Sequence, residues 1–224
     1  MKKNLILVLV CLTTVAAFGE QTFSTNVTVN KVVPDGTANG LASGIVVGGL
    51  GGAIDKVTVT LDITGGFNGD LYAYLVGPNG GFAVLLNRVG VSGTSTFGYG
   101  DAGFNITLDD TAANGDIHYY QTVLNPGGSQ LTGTWQPDGA NINPQSPSGA
   151  FLTAGQTAML SSFVGTDGNG QWELFVADLS PSGQSTLVGF GFTIMAVPEP
   201  STWVLLGSGM AVLWLCRNRR FVRS

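Results

Sequence analysis

The chain has 224 residues and 44% apolar content, enough for one core-forming domain with appendages. It holds 34 glycines, and only 10% of its residues are charged, against roughly 25% in ordinary soluble domains; short strands joined by tight turns fit this composition. The net charge of −5 conceals an acidic centre over residues 20–196, where Lys31, Lys56 and Arg88 face 13 of the 14 acids, which argues against nucleic acid as a partner.

The first 20 residues read MKKNLILVLVCLTTVAAFGE. Lys2 and Lys3 precede an apolar run over residues 5–12, and small residues close it. This is the three-part pattern of a secretory signal peptide, residues 1–19, cleaved by signal peptidase between Gly19 and Glu20, with cleavage after Ala17 a near alternative. Val10 stands where a lipoprotein signal needs a small residue before Cys11, so lipidation there is rejected. Cys11 and Cys216 lie in the two terminal apolar runs, and the domain between them has no cysteine, so it uses neither disulfides nor a thiolate-ligated metal.

Residues 20–49 predict an N-terminal strand and a Gly-rich lead-in. Gly48-Gly49-Leu50-Gly51-Gly52 lacks the third glycine and following helix of a dinucleotide fingerprint, and reads as a flexible approach to the first core strand. Val57, Val59, Leu61 and Ile63 then alternate with Thr58, Thr60 and Asp62, a half-buried strand. Leu71, Ala73 and Leu75 alternate with Tyr72 and Tyr74, Gly77-Pro78-Asn79-Gly80-Gly81 supplies a turn, and residues 82–86 return as an apolar strand. Phe104, Ile106 and Leu108 predict another strand, as do Trp172, Leu174 and Val176. Residues 121–158, rich in Pro, Gly, Asn and Gln, predict a long loop with one strand near Trp135. Residues 187–195 form the last strand, where Gly189 and Gly191 predict a bend or close packing. No stretch before residue 200 has capped helical periodicity, so the fold class is all-β, a sandwich.

Chemistry is sparse. The only histidine, His118, has Asp116 two residues away but no Gly-x-Ser-x-Gly elbow; we expect a partly exposed strand or loop side chain, no catalytic triad and no enzyme. Calcium is a weak candidate ligand: Asp70, Asp109 with Asp110, Asp167 with Asn169, and Asp178 offer oxygens, but none has the twelve-residue loop spacing, and Asx turns account for such residues. No cofactor is assigned. Tyr72, Tyr74, Tyr99, Tyr119, Tyr120 and Trp135 are candidates for stacking on an extracellular polysaccharide, against the ordinary reading of aromatics as strand formers.

The C-terminus reads VPEPSTWVLLGSGMAVLWLCRNRRFVRS. Residues 203–216 carry no charge, and the run is shorter at about 1.5 Å per residue than the roughly 30 Å hydrocarbon core, unless snorkelling flanks extend it. Arg217, Arg219, Arg220 and Arg223 follow and would hold that end cytoplasmic, stopping one C-terminal transmembrane helix. Pro198 and Pro200 keep the helix from running back into the domain.

Val197-Pro198-Glu199-Pro200-Ser201-Thr202, then the apolar span, then the Arg cluster, resembles the PEP-CTERM sorting signal of Gram-negative bacteria over residues 197–224. The resemblance implies an exosortase, a membrane-embedded cysteine transpeptidase, that recognises the Pro-Glu-Pro region and removes the span. The plainer alternative is a single-span anchor. A second resemblance covers residues 50–196: Gly69-Asp70-Leu71, Pro78-Asn79-Gly80, Asp109-Asp110-Thr111-Ala112, Gly133-Thr134-Trp135, Gly170-Gln171-Trp172-Glu173-Leu174 and Ala177-Asp178 look like the P/Homo B domain. That domain accompanies subtilisin-type proteases and also occurs in bacterial surface proteins without one. It implies a jelly-roll, galactose-binding-like sandwich of eight or nine strands. Thr64-Gly65-Gly66-Phe67 replaces the family's histidine, and Gly189-Phe190-Gly191 its last-strand tryptophan, so no family role is carried over at either place. The expected function is a non-catalytic exported protein of the cell surface or extracellular matrix. The alternatives are a polysaccharide-binding accessory module, a plain membrane-anchored domain, or an accessory domain linked to subtilisin-type proteolysis.

Overall fold

The computed structural model describes residues 19–198, 209–211 and 213–214. The expected signal peptide through Phe18 lies outside the described residues, as do Glu199, Pro200, Ser201, Thr202 and the arginines of the tail. Gly209, Met210, Ala211, Leu213 and Trp214 are helical and exposed. Among the described residues no helix is long and apolar enough to cross a membrane, and the expected span over residues 203–216 lies mostly outside them.

Nine strands build two sheets: β1 (Gln21–Val32), β2 (Thr37–Val47), β3 (Ala53–Gly65), β4 (Leu71–Val76), β5 (Phe82–Asn87), β6 (Gly103–Leu108), β7 (Leu131–Trp135), β8 (Gly170–Asp178) and β9 (Ser185–Val197). The order is β1-β9-β3-β6-β7 in one sheet and β2-β8-β4-β5 in the other. All pairs are antiparallel except β6 with β7. An all-β sandwich is therefore what the sequence folds into.

The alternating residues supply its filling. Val57, Val59, Leu61 and Ile63 of β3, Leu71, Ala73 and Leu75 of β4, and Trp172, Leu174 and Val176 of β8 are all buried. Each large apolar side chain among them contributes roughly 1.5–3 kcal/mol by leaving water. Trp172 is the hub between the sheets, with its ring 5.1 Å from Phe192 and 4.8 Å from Phe163. Between strands the chain forms short 3-10 turns, including Asn68–Asp70, Ile117–Thr122 and Leu160–Phe163.

The N-terminal segment holds two strands where one was expected. β1 lies along β9 and β2 along β8, one in each sheet, so the sandwich begins at Gln21 and the Gly-rich stretch over residues 48–52 is the connection between β2 and β3. β1 gives weak signals because it is an edge strand with one solvated face. Its partner makes room for it: a Cβ at Gly189 would lie 2.7 Å from the Val27 carbonyl oxygen, so only glycine allows that backbone approach.

Candidate functional site

β9 carries the chain out of the sandwich. Its register runs to the end, with Ala196 opposite Gln21 of β1, and Val197 opposite Ala53 of β3. Gly52 has φ of 144°, and a Cβ there would come within 2.7 Å of the Pro198 Cα. A side chain at Gly52 would push the chain away as it leaves the sheet. Val197, the first residue of the expected sorting motif, thus ends the last strand, and Pro198 follows with no linker.

An open recess of about 630 Å³ lies at this end, walled by Gln21, residues 50–53, Gly165, Asp167, Asn169 and Pro198. Its wall is tied by polar contacts. The Leu50 amide donates to Asn169 Oδ1 (2.9 Å), and Asn169 Nδ2 donates back to the Leu50 carbonyl (2.8 Å). The Gly51 amide donates to Gln21 Oε1 (2.6 Å). Asp167 Oδ1 accepts from the Asn169 amide (2.9 Å) and side chain (2.7 Å), and these bonds hold its carboxyl below the usual range. This is an Asx turn, as the spacing suggested. Gly19 and Glu20, the expected signal-cleavage residues, are exposed beside Gln21.

The remaining calcium candidates are scattered or engaged elsewhere. Asp109 Oδ2 lies 2.7 Å from Lys56 Nζ; burial opposes its charge, but Lys56 and Thr111 prevail and hold its pKa down. Asp110 accepts from the Leu160 and Ser161 amides (3.0 and 2.7 Å), opening a 3-10 turn. Asp70 and Asp178 do come together: Leu71 is the register partner of Asp178, and the Leu179 amide donates to the Asp70 carbonyl (2.9 Å). Asp178 is fully buried; Oδ2 accepts from Ser185 Oγ (3.0 Å) and Oδ1 has no partner among the described residues. Burial, then the charges of Asp70 and Asp35, push its pKa up to about 6, and burial also raises that of Asp70. Among the described residues, no group of three or more His, Cys, Asp or Glu side chains is placed to hold a metal ion.

His118 departs from expectation. It sits in the 3-10 turn Ile117–Thr122 and is buried, not a partly exposed strand or loop residue. Nδ1 is 2.8 Å from Asp138 Oδ2 and Nε2 is 3.0 Å from the Val91 carbonyl oxygen. Both partners are acceptors, so the arrangement favours the imidazolium, in which both ring nitrogens donate. Burial opposes that charge, but Asp138 outweighs it and the pKa is raised. Asp116 accepts from the His118 amide (2.8 Å), and burial lifts its own pKa to about 6. With both nitrogens engaged, the ring has none left to take a proton from a nucleophile. Long-range partners such as Asp138 left no local signal in the sequence.

The expected aromatic platform divides. Tyr120 and Trp135 are buried, and Tyr99 packs edge-on against Tyr120 at 4.7 Å, so these three are core and not a sugar surface. Tyr120 donates to Asp101 Oδ2 (2.6 Å) and accepts from Asn68 Nδ2 (3.0 Å), a buried network that the sequence did not reveal. Tyr119 is exposed on the turn. Tyr72 and Tyr74 lie on the outer face of the four-stranded sheet with Phe82 and Phe175. The Tyr74 ring is 5.7 Å from Tyr72, 5.3 Å from Phe82 and 4.8 Å from Phe175.

Residues 196–220 match the family described as the PEP-CTERM protein-sorting motif. The chain carries this sorting motif, and with it the mark of an exported protein sorted to the cell envelope or surface by an exosortase-like membrane enzyme. No curated protein matches the chain. Among solved structures, the serine protease of Aeromonas sobria in complex with its chaperone is 14% identical, with a TM-score of 0.46 over 81% of this chain and 28% of that one. The same protease alone gives 14% identity and a TM-score of 0.44 over 80% of this chain and 27% of that one. The chain therefore spans less than a third of the length of these proteins.

Proposed function

We propose that this protein is a non-catalytic domain of the cell surface or extracellular matrix, released from a membrane-held precursor when an exosortase cleaves its C-terminal signal. The observation that carries this reading is the sorting motif over residues 196–220, beginning where β9 ends. Signal peptidase first removes residues 1–19. The apolar stretch over residues 203–216 then holds the precursor in the membrane, with Arg217, Arg219 and Arg220 as its stop. Exposed Met210, Leu213 and Trp214 on a helical segment suit a hydrocarbon surrounding. The engagement of both His118 nitrogens supports the non-catalytic role.

Within the ectodomain, residues 50–196 are read as a P/Homo B-like jelly roll, with residues 20–49 adding β1 and β2 to the same sandwich. Support comes from where the quoted residues fall. Gly69-Asp70-Leu71 opens β4, Pro78-Asn79-Gly80 turns between β4 and β5, and Trp172 and Leu174 fill the core from β8.

Intact-mass spectrometry of the mature protein from its host, with and without the exosortase gene, tests the main reading. A mass that starts near Glu20 and lacks everything beyond the Pro198–Pro200 region, only when the gene is present, is the expected result. A mass that retains residues 203–224 in both strains leaves a plain membrane-anchored domain instead.

The row of Tyr72, Tyr74, Phe82 and Phe175 favours a second reading, binding of an extracellular polysaccharide. Such rings stack on sugar faces, although cross-strand aromatic pairs also stabilise a sheet on their own. A sugar array should then give a signal that Tyr74→Ala abolishes; equal signals from parent and variant would rule out this face.

A further inference from the structure

We infer that the recess end of the sandwich is a docking face for the exosortase-like enzyme, which engages this folded surface together with the motif; the inference rests on the sorting reading above. Three observations lead to it. First, the motif has no spacer. Val197 is still paired with Ala53 and Pro198 is part of the recess wall. At no more than 3.6 Å per residue, Pro200 lies within about 7 Å of Pro198, so an enzyme that grips Pro-Glu-Pro is brought against residues 50–53 and 165–169.

Second, both ends of the domain leave from this one end. Gln21 is the register partner of Ala196, so the chain arriving from the expected signal peptide and the chain departing toward the membrane tail lie side by side. A precursor still holding either tail presents this end, and not the β1–β2 turn roughly 40 Å away along a 12-residue strand, to the membrane and its enzymes.

Third, the wall is built to be a surface. Asn169 and Gln21 tie the backbone of residues 50 and 51 from neighbouring elements, giving a fixed shape instead of a loose loop. Its charge is acidic: Asp167 is exposed in the wall and Glu20 adjoins Gln21, while exposed Asp55, two residues beyond Ala53, lines the neighbouring recess, where Lys56 is paired with Asp109. The complementary partner surface is therefore basic, or rich in N–H donors.

The test keeps the full chain in its host and follows the rate of exosortase-dependent processing by mass. One variant inserts eight Gly/Ser residues between Val197 and Pro198, which leaves motif and sheet intact but moves the motif away from the recess. A second, Asp55→Lys, reverses a charge beside the wall; Asp35→Lys, at the far end, is its charge-matched control. Thermal melting of each purified protein verifies folding. The spacer and Asp55→Lys should each slow processing at least five-fold, with Asp35→Lys at the parental rate. If the spacer variant or Asp55→Lys is processed as fast as the parent, or faster, the enzyme reads the linear motif alone and the inference is overturned. A parent that keeps its tail with and without the exosortase gene overturns the sorting reading itself, a result distinct from unimpeded variants of a processed parent.

Discussion

The fold favours the protonated forms of Asp178, Asp116 and His118, for different reasons. Burial raises the two acids to about 6, and Asp138 outweighs burial at His118. For Asp116 and Asp178 the stabilising contribution is complete below about 3.9, the unfolded value, and is lost as pH rises through about 6. For His118 it is complete below about 6.5 and is lost above that, as pH rises through the higher folded value. Asp109 and Asp167 act oppositely: their depressed values give stability above about 3.9 that disappears as pH falls further. The melting temperature should therefore be highest near pH 4, fall as pH rises through about 6, and fall again as His118 loses its proton. Asp178 alone accounts for roughly 3 kcal/mol of that fall, the free energy that separates a carboxyl titrating near 4 from one titrating near 6. Asp178→Asn keeps an acceptor for Ser185 and removes the charge, so melting curves from pH 4 to 8 should flatten between pH 4 and 6 and lie above the parent at pH 7. An unchanged pH profile would show that Asp178 is not the responsible group.

At the scale of elements, the joint of β1 on β9 turns on a single glycine. β1 is an edge strand with a register shift between Thr28 and Lys31, and it depends on the missing side chain at Gly189. Gly189→Ala should loosen β1 alone. Hydrogen exchange of residues 21–32 should speed up at least ten-fold, by local opening of that strand, while β4 and β8 keep their protection. The core side of β9 behaves otherwise. Phe192 lies against Trp172 between the sheets, and Trp172→Ala should cost about 3–5 kcal/mol and weaken both sheets together, as read by urea unfolding. Of the strands legible in the sequence, β3, β4, β6 and β8 show alternation with one buried face, whereas β5 and β9 are legible as apolar runs and β7 only as a strand near Trp135. β2, with Gly40, Gly44 and small residues, offered little pattern, because an edge strand lined by small side chains buries too little to stand out.

At the scale of the molecule, one core joins two sheets and no disulfide supports it, since Cys11 and Cys216 lie outside the domain. Residues 20–197 should therefore unfold in a single transition whose midpoint is the same with and without reductant, by tryptophan fluorescence and circular dichroism alike. The topology also sets how the protein meets its surroundings. β1 and β9 are neighbours and antiparallel, so both exits share one end, and the outer faces of the sheets are left for other contacts.

The sequence by itself determined the sorting motif, the acidic domain without cysteine, and the all-β class. These depend on local order and composition: a proline-flanked motif before an apolar run, and a two-residue alternation, are visible to anyone reading along the chain. It did not determine which side chains meet. His118 with Asp138, Asn68 with Tyr120, Asn169 with Leu50, and Asp70 beside Asp178 are separated by 20 to 119 positions or brought together only by strand pairing. Only the tertiary structure decided those, and with them that the lone histidine is a buried ion-pair partner, that Tyr120 and Trp135 belong to the core, and that the sorting motif leaves the last strand beside a shaped recess. The physical reason is that burial, charge pairing and the position of a chain end are set by which strands lie side by side, and strand order is not written in the periodicity of any one strand.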